Sequence, residues 1–201
     1  MIYTENKRDN KWNIDSSNNL QKRFNKRNSL TGFTLIEFLV VISITILIAT
    51  MALTHYREAE RELNIYSDAE KIVSILKSAQ ADALSGSLVG SIRPSHFGII
   101  WKYGEHDYTF FAENDDNCAY SGPDGDNFLI QNFDLTEGVV IQNSPSPVIF
   151  DVPKAEVYKG NGGCSSLTGG DYVRITLFQE ASGRTVHVDV YGQGKIEIIK
   201  E

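Results

Sequence analysis

A glutamate five residues into an apolar run is the first side chain in this sequence that invites chemistry. Glu37 is the sole charged residue between Phe33 and Leu53. A charge at membrane depth costs about 3 kcal/mol on insertion scales, so an ionisable group there reads as functional by default. A carboxylate near one end of the run could also snorkel to the interface, which explains tolerance but not purpose. Cys118 and Cys164 are the second candidate pair and the only cysteines in the chain. They are too few for a four-cysteine zinc module, and without a neighbouring histidine in sequence they give no support to nucleophilic catalysis. The third group is a dense set of oxygen donors, Glu113-Asn114-Asp115-Asp116-Asn117 followed by Asp124 and Asp126. Calcium takes such ligands. The glycine and closing glutamate of an EF-hand are misplaced, so a solvated acidic loop is the favoured reading. Asp115, Asp116, Asp124 and Asp126 stand as calcium candidates, and no other cofactor is expected. His55, His96, His106 and His187 are scattered and form no metal motif.

The elements that must position these groups follow from charge and hydropathy. The chain has 201 residues, 41% hydrophobic and 22% charged, with a formal charge of -7. Those values are close to average globular usage and exclude a collagen-like or wholly disordered chain. The net figure conceals an asymmetry. Residues 1–32 carry seven bases and three acids, a formal +4, and residues 33–201 carry the remaining -11. Between the two lies the 21-residue run Phe33–Leu53, without Gly or Pro. As a helix it would span roughly 31 Å, the thickness of a bilayer core. No polar face interrupts it, so a membrane segment is expected rather than a buried core helix. Lys22, Arg23, Lys26 and Arg27 crowd its N-terminal side. By the positive-inside rule the basic segment stays cytoplasmic and the C-terminal part is exported.

An ordinary signal peptide would be cut after its apolar run. Here the residues around the start of the run point elsewhere. Leu30-Thr31-Gly32-Phe33-Thr34-Leu35-Ile36-Glu37-Phe38-Leu39-Val40-Val41 resembles the N-terminal signature of type IV pilins and type II secretion pseudopilins, whose usual run is G-F-T-L-I-E-L-L-V-V; Phe38 replaces a leucine. The resemblance implies cleavage between Gly32 and Phe33 by a prepilin peptidase and methylation of the new Phe33 amino group. It further implies that Glu37 pairs with the amine of a neighbouring subunit and sets axial register, with Thr34 as a lesser polar partner. Residues 1–32 are then a basic leader removed on processing, and residues 33–53 a transmembrane and filament-core helix.

The helical pattern continues beyond the run. Ile65, Ala69, Ile72, Leu76, Ala79 and Ala83 recur at spacings of three and four, an apolar stripe. Glu58, Arg61, Glu62, Asp68, Lys71 and Lys77 are expected on the other faces. Gly86 is the first stop signal, followed by Gly90 and Pro94. Residues 54–86 thus read as an amphipathic helix continuing into a β-rich head over 87–201. Strands are expected at Phe97–Lys102 and Tyr108–Ala112 (a hairpin), Phe128–Phe133, Val139–Gln142, Val148–Val152, Tyr172–Phe178, Arg184–Tyr191 and Lys195–Ile199. In Thr185–Val190 the valines alternate with polar residues, which predicts valine inward and polar outward. About eight strands after one long helix give an α+β fold, a pilin-like antiparallel head packed on a helix. Within the superfamily the Ala-rich helix end (Ala79, Ala81, Ala83) and the late valine strand are most similar to minor pseudopilins of the GspH/FimT type.

Function follows as expectation: a structural subunit of a type IV pilus or type II secretion pseudopilus, not an enzyme. Its expected partners are the prepilin peptidase, other pilin or pseudopilin subunits, the inner-membrane assembly platform and membrane lipid. Its expected location is the cytoplasmic membrane, single-pass, and then the filament. The alternative is a filament-tip protein for DNA uptake or surface adhesion. Nucleic acid is disfavoured, because the bases after residue 85 are sparse and outnumbered. Cys118 and Cys164 both fall in expected loops; in an exported head they are either bridged or two free thiols, and the oxidising setting favours the bridge.

Overall fold

Nothing breaks the helix between Phe33 and Ser85, and α1 runs from Leu35 to Ser85, 51 residues. The structure, a computed structural model, describes residues 33–114, 118, 127–160 and 163–200. It divides into two compact units, Met1–Ala49 and Thr50–Glu201. Gly86 ends the helix at a positive φ of 61°. Its N–H donates to Ala83 O at 3.2 Å and the Ser87 N–H donates to Asp82 O at 3.0 Å. This pair of bonds is a Schellman motif, which needs a residue at ease in the left-handed region just past the last turn.

Among the described residues ten strands follow: β1 His96–Trp101, β2 Asp107–Glu113, β3 Asn127–Asp134, β4 Val139–Ile141, β5 Val148–Asp151, β6 Val157–Gly160, β7 Cys164–Ser166, β8 Tyr172–Gln179, β9 Arg184–Tyr191 and β10 Ile196–Lys200. They form a six-stranded sheet of order β3-β2-β1-β5-β6-β7 and a four-stranded sheet of order β10-β9-β8-β4. Every pairing is antiparallel. The architecture is therefore α+β, one long helix against antiparallel sheets.

The apolar stripe of α1 is the spine of the core. Ile65, Ala69, Ile72, Leu76, Ala79 and Ala83 are all buried in one cluster with Phe97, Ile99, Trp101 and Phe150 of the larger sheet and Val173, Ile175, Val186 and Val188 of the smaller one. Each large apolar side chain buried there contributes about 1.5–3 kcal/mol. The three alanines let the helix backbone approach the sheets closely. β1 approaches β5 just as closely, since a Cβ on Gly98 would lie 2.5 Å from Val148 O.

Four expectations need correcting. Asp68, expected on a solvent face, is completely buried. His187 and Asp189, expected outward on β9, are buried as well. They lie under cross-strand partners from β8: His187 Nδ1 is 3.1 Å from Thr176 Oγ1, and Asp189 holds Arg174 through two hydrogen bonds of 2.8 and 2.7 Å. Strands β6 and β7 were not anticipated, because four- and three-residue strands carry too few residues to show a period. Cys164 accordingly sits on a strand rather than in a loop.

Candidate functional site

Three places in the described residues carry polar groups in arrangements that packing alone does not demand. The first is the start of α1. Thr34 occupies the N-cap and Glu37 the third helical position, and the two cap each other reciprocally. Glu37 Oε2 accepts from the Thr34 N–H and from Thr34 Oγ1, both at 2.8 Å. The Glu37 N–H in turn donates to Thr34 Oγ1 at 3.3 Å. Two of the helix's otherwise unpaired N-terminal donors are thereby satisfied. A carboxylate here also faces the positive end of the helix dipole.

Beyond this cap the apolar run lies open. Large side chains including Leu35, Ile36, Phe38, Leu47 and Met51 are exposed, and Phe33 is 84% exposed. The most apolar stretch of α1 has none of its residues buried, and α1 is the one helix among the described residues long and apolar enough to cross a membrane. A contiguous apolar surface of this size marks contact with lipid or protein. Phe33, Thr34 and Glu37 are thus brought to one turn, while Gly32 lies outside the described residues.

The second place joins α1 to the head. Asp68 Oδ2 accepts the Thr136 N–H at 2.7 Å, and its Oδ1 accepts the Thr136 hydroxyl at 3.1 Å and faces Lys71 Nζ at 2.8 Å. Thr136 lies between β3 and β4, so one carboxylate ties that turn to the helix. The phenol of Tyr108 is close by. Burial, reinforced by the Asp68 charge, pushes its pKa well above the usual tyrosine range. The Tyr108 hydroxyl is buried without a hydrogen-bond partner.

The third lies on the face of the larger sheet turned away from α1. Cys118 and Cys164 are joined by a disulfide, with Cα atoms 5.1 Å apart. Cys118 is buried against Phe111 and Ile149, whereas Cys164 is exposed on the short edge strand β7. Beside the bridge runs a polar row across three strands, because His96 is in register with both Glu113 on β2 and Asp151 on β5. His96 Nδ1 lies 3.3 Å from Glu113 Oε1, and Nε2 lies 3.6 Å from Asp151 Oδ1. Glu113 is fully buried, and neither of its oxygens makes a hydrogen bond. A ring nitrogen of His96 and the two sulfurs all lie within 4.8 Å of one another.

The sequence alone did not show the Asp68–Thr136 tie, nor His96, Glu113 and Asp151 as a positioned row. A signal for part of it was present: extending the expected hairpin outward by one residue pair places His96 opposite Glu113. Asp115, Asp116, Asp124 and Asp126 lie outside the described residues. Of the other histidines, His55 is exposed on α1, and His106 Nδ1 is 2.7 Å from Val139 O. Comparison with protein-family models, with curated proteins and with solved structures gives no match to this chain.

Proposed function

We propose that this chain is a pilin-like structural subunit of a type IV pilus or type II secretion pseudopilus. One observation carries the reading: a helix whose apolar N-terminal run is uncovered and opens on a Thr34–Glu37 cap, directly after a Gly–Phe junction in the sequence. In this reading residues 1–32 are the leader, a prepilin peptidase cuts after Gly32, and Phe33 carries the new, methylated amine. Residues 33–53 anchor the chain in the cytoplasmic membrane, and the head from residue 87 is exported. Assembly then moves the anchor out of lipid and against other subunits, through the inner-membrane platform.

The cap supports a division of labour within Glu37. Both Thr34 donors converge on Oε2, and Oε1 is the oxygen that meets the amine of a neighbouring subunit. A charged pair shielded from water sets register more than it adds stability, since an unpaired partner is strongly penalised. Capping needs only an acceptor, whereas pairing needs a charge. Glu37→Gln keeps the first and loses the second; Glu37→Ala loses both.

The charge pattern of the head does not favour DNA capture. Of the eight bases after residue 85, Lys154, Arg174, Arg184 and Lys195 are engaged by Glu156, Asp189, Glu62 and Glu197. A row of bases able to track a phosphate backbone needs such groups unpaired and clustered.

Mass spectrometry of the mature N-terminus tests the reading. The expected first residue is an N-methylated Phe33, and any other first residue overturns it. Filament incorporation of the two Glu37 variants tests the pairing. Both are processed normally and both fail to incorporate; normal incorporation of Glu37→Gln would reduce Glu37 to a helix cap.

A further inference from the structure

We propose that opening the Cys118–Cys164 bridge creates a binding site for a thiophilic divalent cation of the zinc class, held by both sulfurs and a ring nitrogen of His96. The inference does not depend on the assembly reading, because it rests only on groups within the head.

The ligand set comes from three separated parts of the chain that the fold converges. His96 opens β1, Cys164 opens β7, and Cys118 packs over the second apolar cluster. Their ligand atoms already lie within 4.8 Å of one another. A tetrahedral zinc with Zn–S near ~2.3 Å and Zn–N near ~2.05 Å places its ligands roughly 3.5–3.8 Å apart. The sulfurs, bonded at ~2.04 Å in a disulfide, must part by roughly 1.7 Å and the ring nitrogen approach by at most about 1 Å, movement that the exposed Cys164 can supply. Two thiolates and an imidazole select zinc over calcium, because sulfur is a soft donor and calcium takes oxygen.

Glu113 is the independent observation that points to a cation. A completely buried carboxylate with no hydrogen bond to either oxygen is costly unless a positive group faces it. The only such group on its row is His96, and the ring has a carboxylate at each nitrogen, Glu113 at Nδ1 and Asp151 at Nε2. Whichever nitrogen takes the metal, the other donates its proton to a carboxylate. That outer partner fixes the tautomer, aims the lone pair and raises the basicity of the ring. Metal at this position gives the buried Glu113 charge the hydrogen bond that the bridged state leaves poorly directed. Neither carboxylate belongs to the set within 4.8 Å, so water takes the fourth coordination position.

The chemistry balances with a dithiol as reductant. The dithiol gives up two electrons and two protons and leaves as its own cyclic disulfide, while Cys118 and Cys164 become thiols. Zinc then displaces one proton from each thiol, and both protons pass to solvent. Cys164, exposed on β7, is the sulfur open to attack, and Cys118 is the buried leaving group.

The test uses the full chain in detergent micelles, reduced with a phosphine under anaerobic conditions and titrated with Co2+ as a spectroscopic probe. The reduced chain is expected to bind one Co2+ with thiolate charge-transfer bands and the intense visible bands of tetrahedral cobalt, and Zn2+ is expected to displace it. The bridged chain should show neither. Cys164→Ser, a change at an exposed position, removes the tetrahedral spectrum. Glu113→Gln, nearly the same size, weakens Zn2+ binding by ~10–100-fold. Unchanged affinity in Glu113→Gln would mean adventitious chelation by thiols and overturn the proposal. So would tetrahedral cobalt in the bridged chain, the faint spectrum of octahedral cobalt in the reduced one, or a reduced head that loses its near-UV circular dichroism and does not recover it on adding metal.

Discussion

Removing the Asp68 carboxylate should destabilise the head by about 2–4 kcal/mol, and the structure says how that cost divides. Two hydrogen bonds run from Thr136 to Asp68, from its N–H at 2.7 Å and its hydroxyl at 3.1 Å. A hydrogen bond to a charged group is worth ~1.5–3 kcal/mol net. The half-buried position of Thr136 lets water replace part of what is lost, which keeps the sum near the lower end. Lys71 adds little, because its side chain is 54% exposed and such ion pairs contribute ~0–1 kcal/mol. The expected order of stability is wild type, then Asp68→Asn, then Asp68→Ala. The asparagine retains one acceptor for the Thr136 N–H and loses only the charge-assisted part. Urea unfolding of the full chain in mild detergent reads this out through the fluorescence of Trp101, which is buried in the same core. A cost below about 1 kcal/mol for Asp68→Ala would refute the reasoning, as it would place that carboxylate among exposed surface charges. A loss in Lys71→Met equal to that in Asp68→Ala would refute it differently, by moving the credit to the ion pair.

Three further perturbations follow from the same geometry. Tyr108→Phe deletes a buried hydroxyl that has no partner, so the variant should be more stable at neutral pH by ~1–3 kcal/mol in the same urea assay. It should also change the alkaline limb. The folded phenol holds its proton above the unfolded value near ~10, so wild-type stability is full below about pH 10 and falls above it, by up to ~1.4 kcal/mol per pH unit. Tyr108→Phe abolishes that component of the slope, and identical alkaline limbs would contradict the assignment. Cys118→Ala combined with Cys164→Ala opens a loop with a sequence separation of 46, worth about 4 kcal/mol in the chain-entropy treatment; an unchanged urea midpoint would exclude that contribution. Gly98→Ala forces a methyl to 2.5 Å from Val148 O, and the expected loss is ~1–3 kcal/mol; an unchanged thermal midpoint would show that β1 and β5 can separate freely.

What the sequence made legible was whatever obeys a period. The six residues of the helical stripe, the helix stop at Gly86 and the Arg184–Tyr191 strand all rest on spacing or on backbone chemistry that one short window contains. What escaped it depends on partners far away in sequence. Asp68 looks like any solvent-facing acid on an amphipathic helix until Thr136, 68 residues later, covers it. His187 and Asp189 alternate with valines as outward residues should, yet cross-strand neighbours on β8 bury them. The disulfide was legible as a choice between two readings, and the histidine beside it was not, because nothing local to His96 announces Cys118 or Cys164. The Thr34–Glu37 cap is the instructive middle case. The Thr-x-x-Glu spacing is a capping signature in its own right, and the membrane context drew attention to the charge instead.

The two kinds of apolar surface in this chain set what it requires of its surroundings. In the head the apolar residues of α1 and both sheets cover one another, and the few polar groups among them mostly bond across elements. From Phe33 to Leu53 the opposite holds, since the large apolar side chains described there are exposed. At about 1.5–3 kcal/mol for each such side chain, leaving the run in water forgoes tens of kcal/mol, more than the ~5–15 kcal/mol that a whole domain typically has in reserve. A bilayer or a close array of similar helices is an environment that recovers it. Either environment lacks water to satisfy backbone donors, where each unsatisfied group costs several kcal/mol. The cap at Thr34 and Glu37 satisfies two donors of the helix end without calling on solvent. A neutral glutamine would cap the helix as well, so in the proposed subunit reading the charge itself is what the amine of a neighbouring subunit requires.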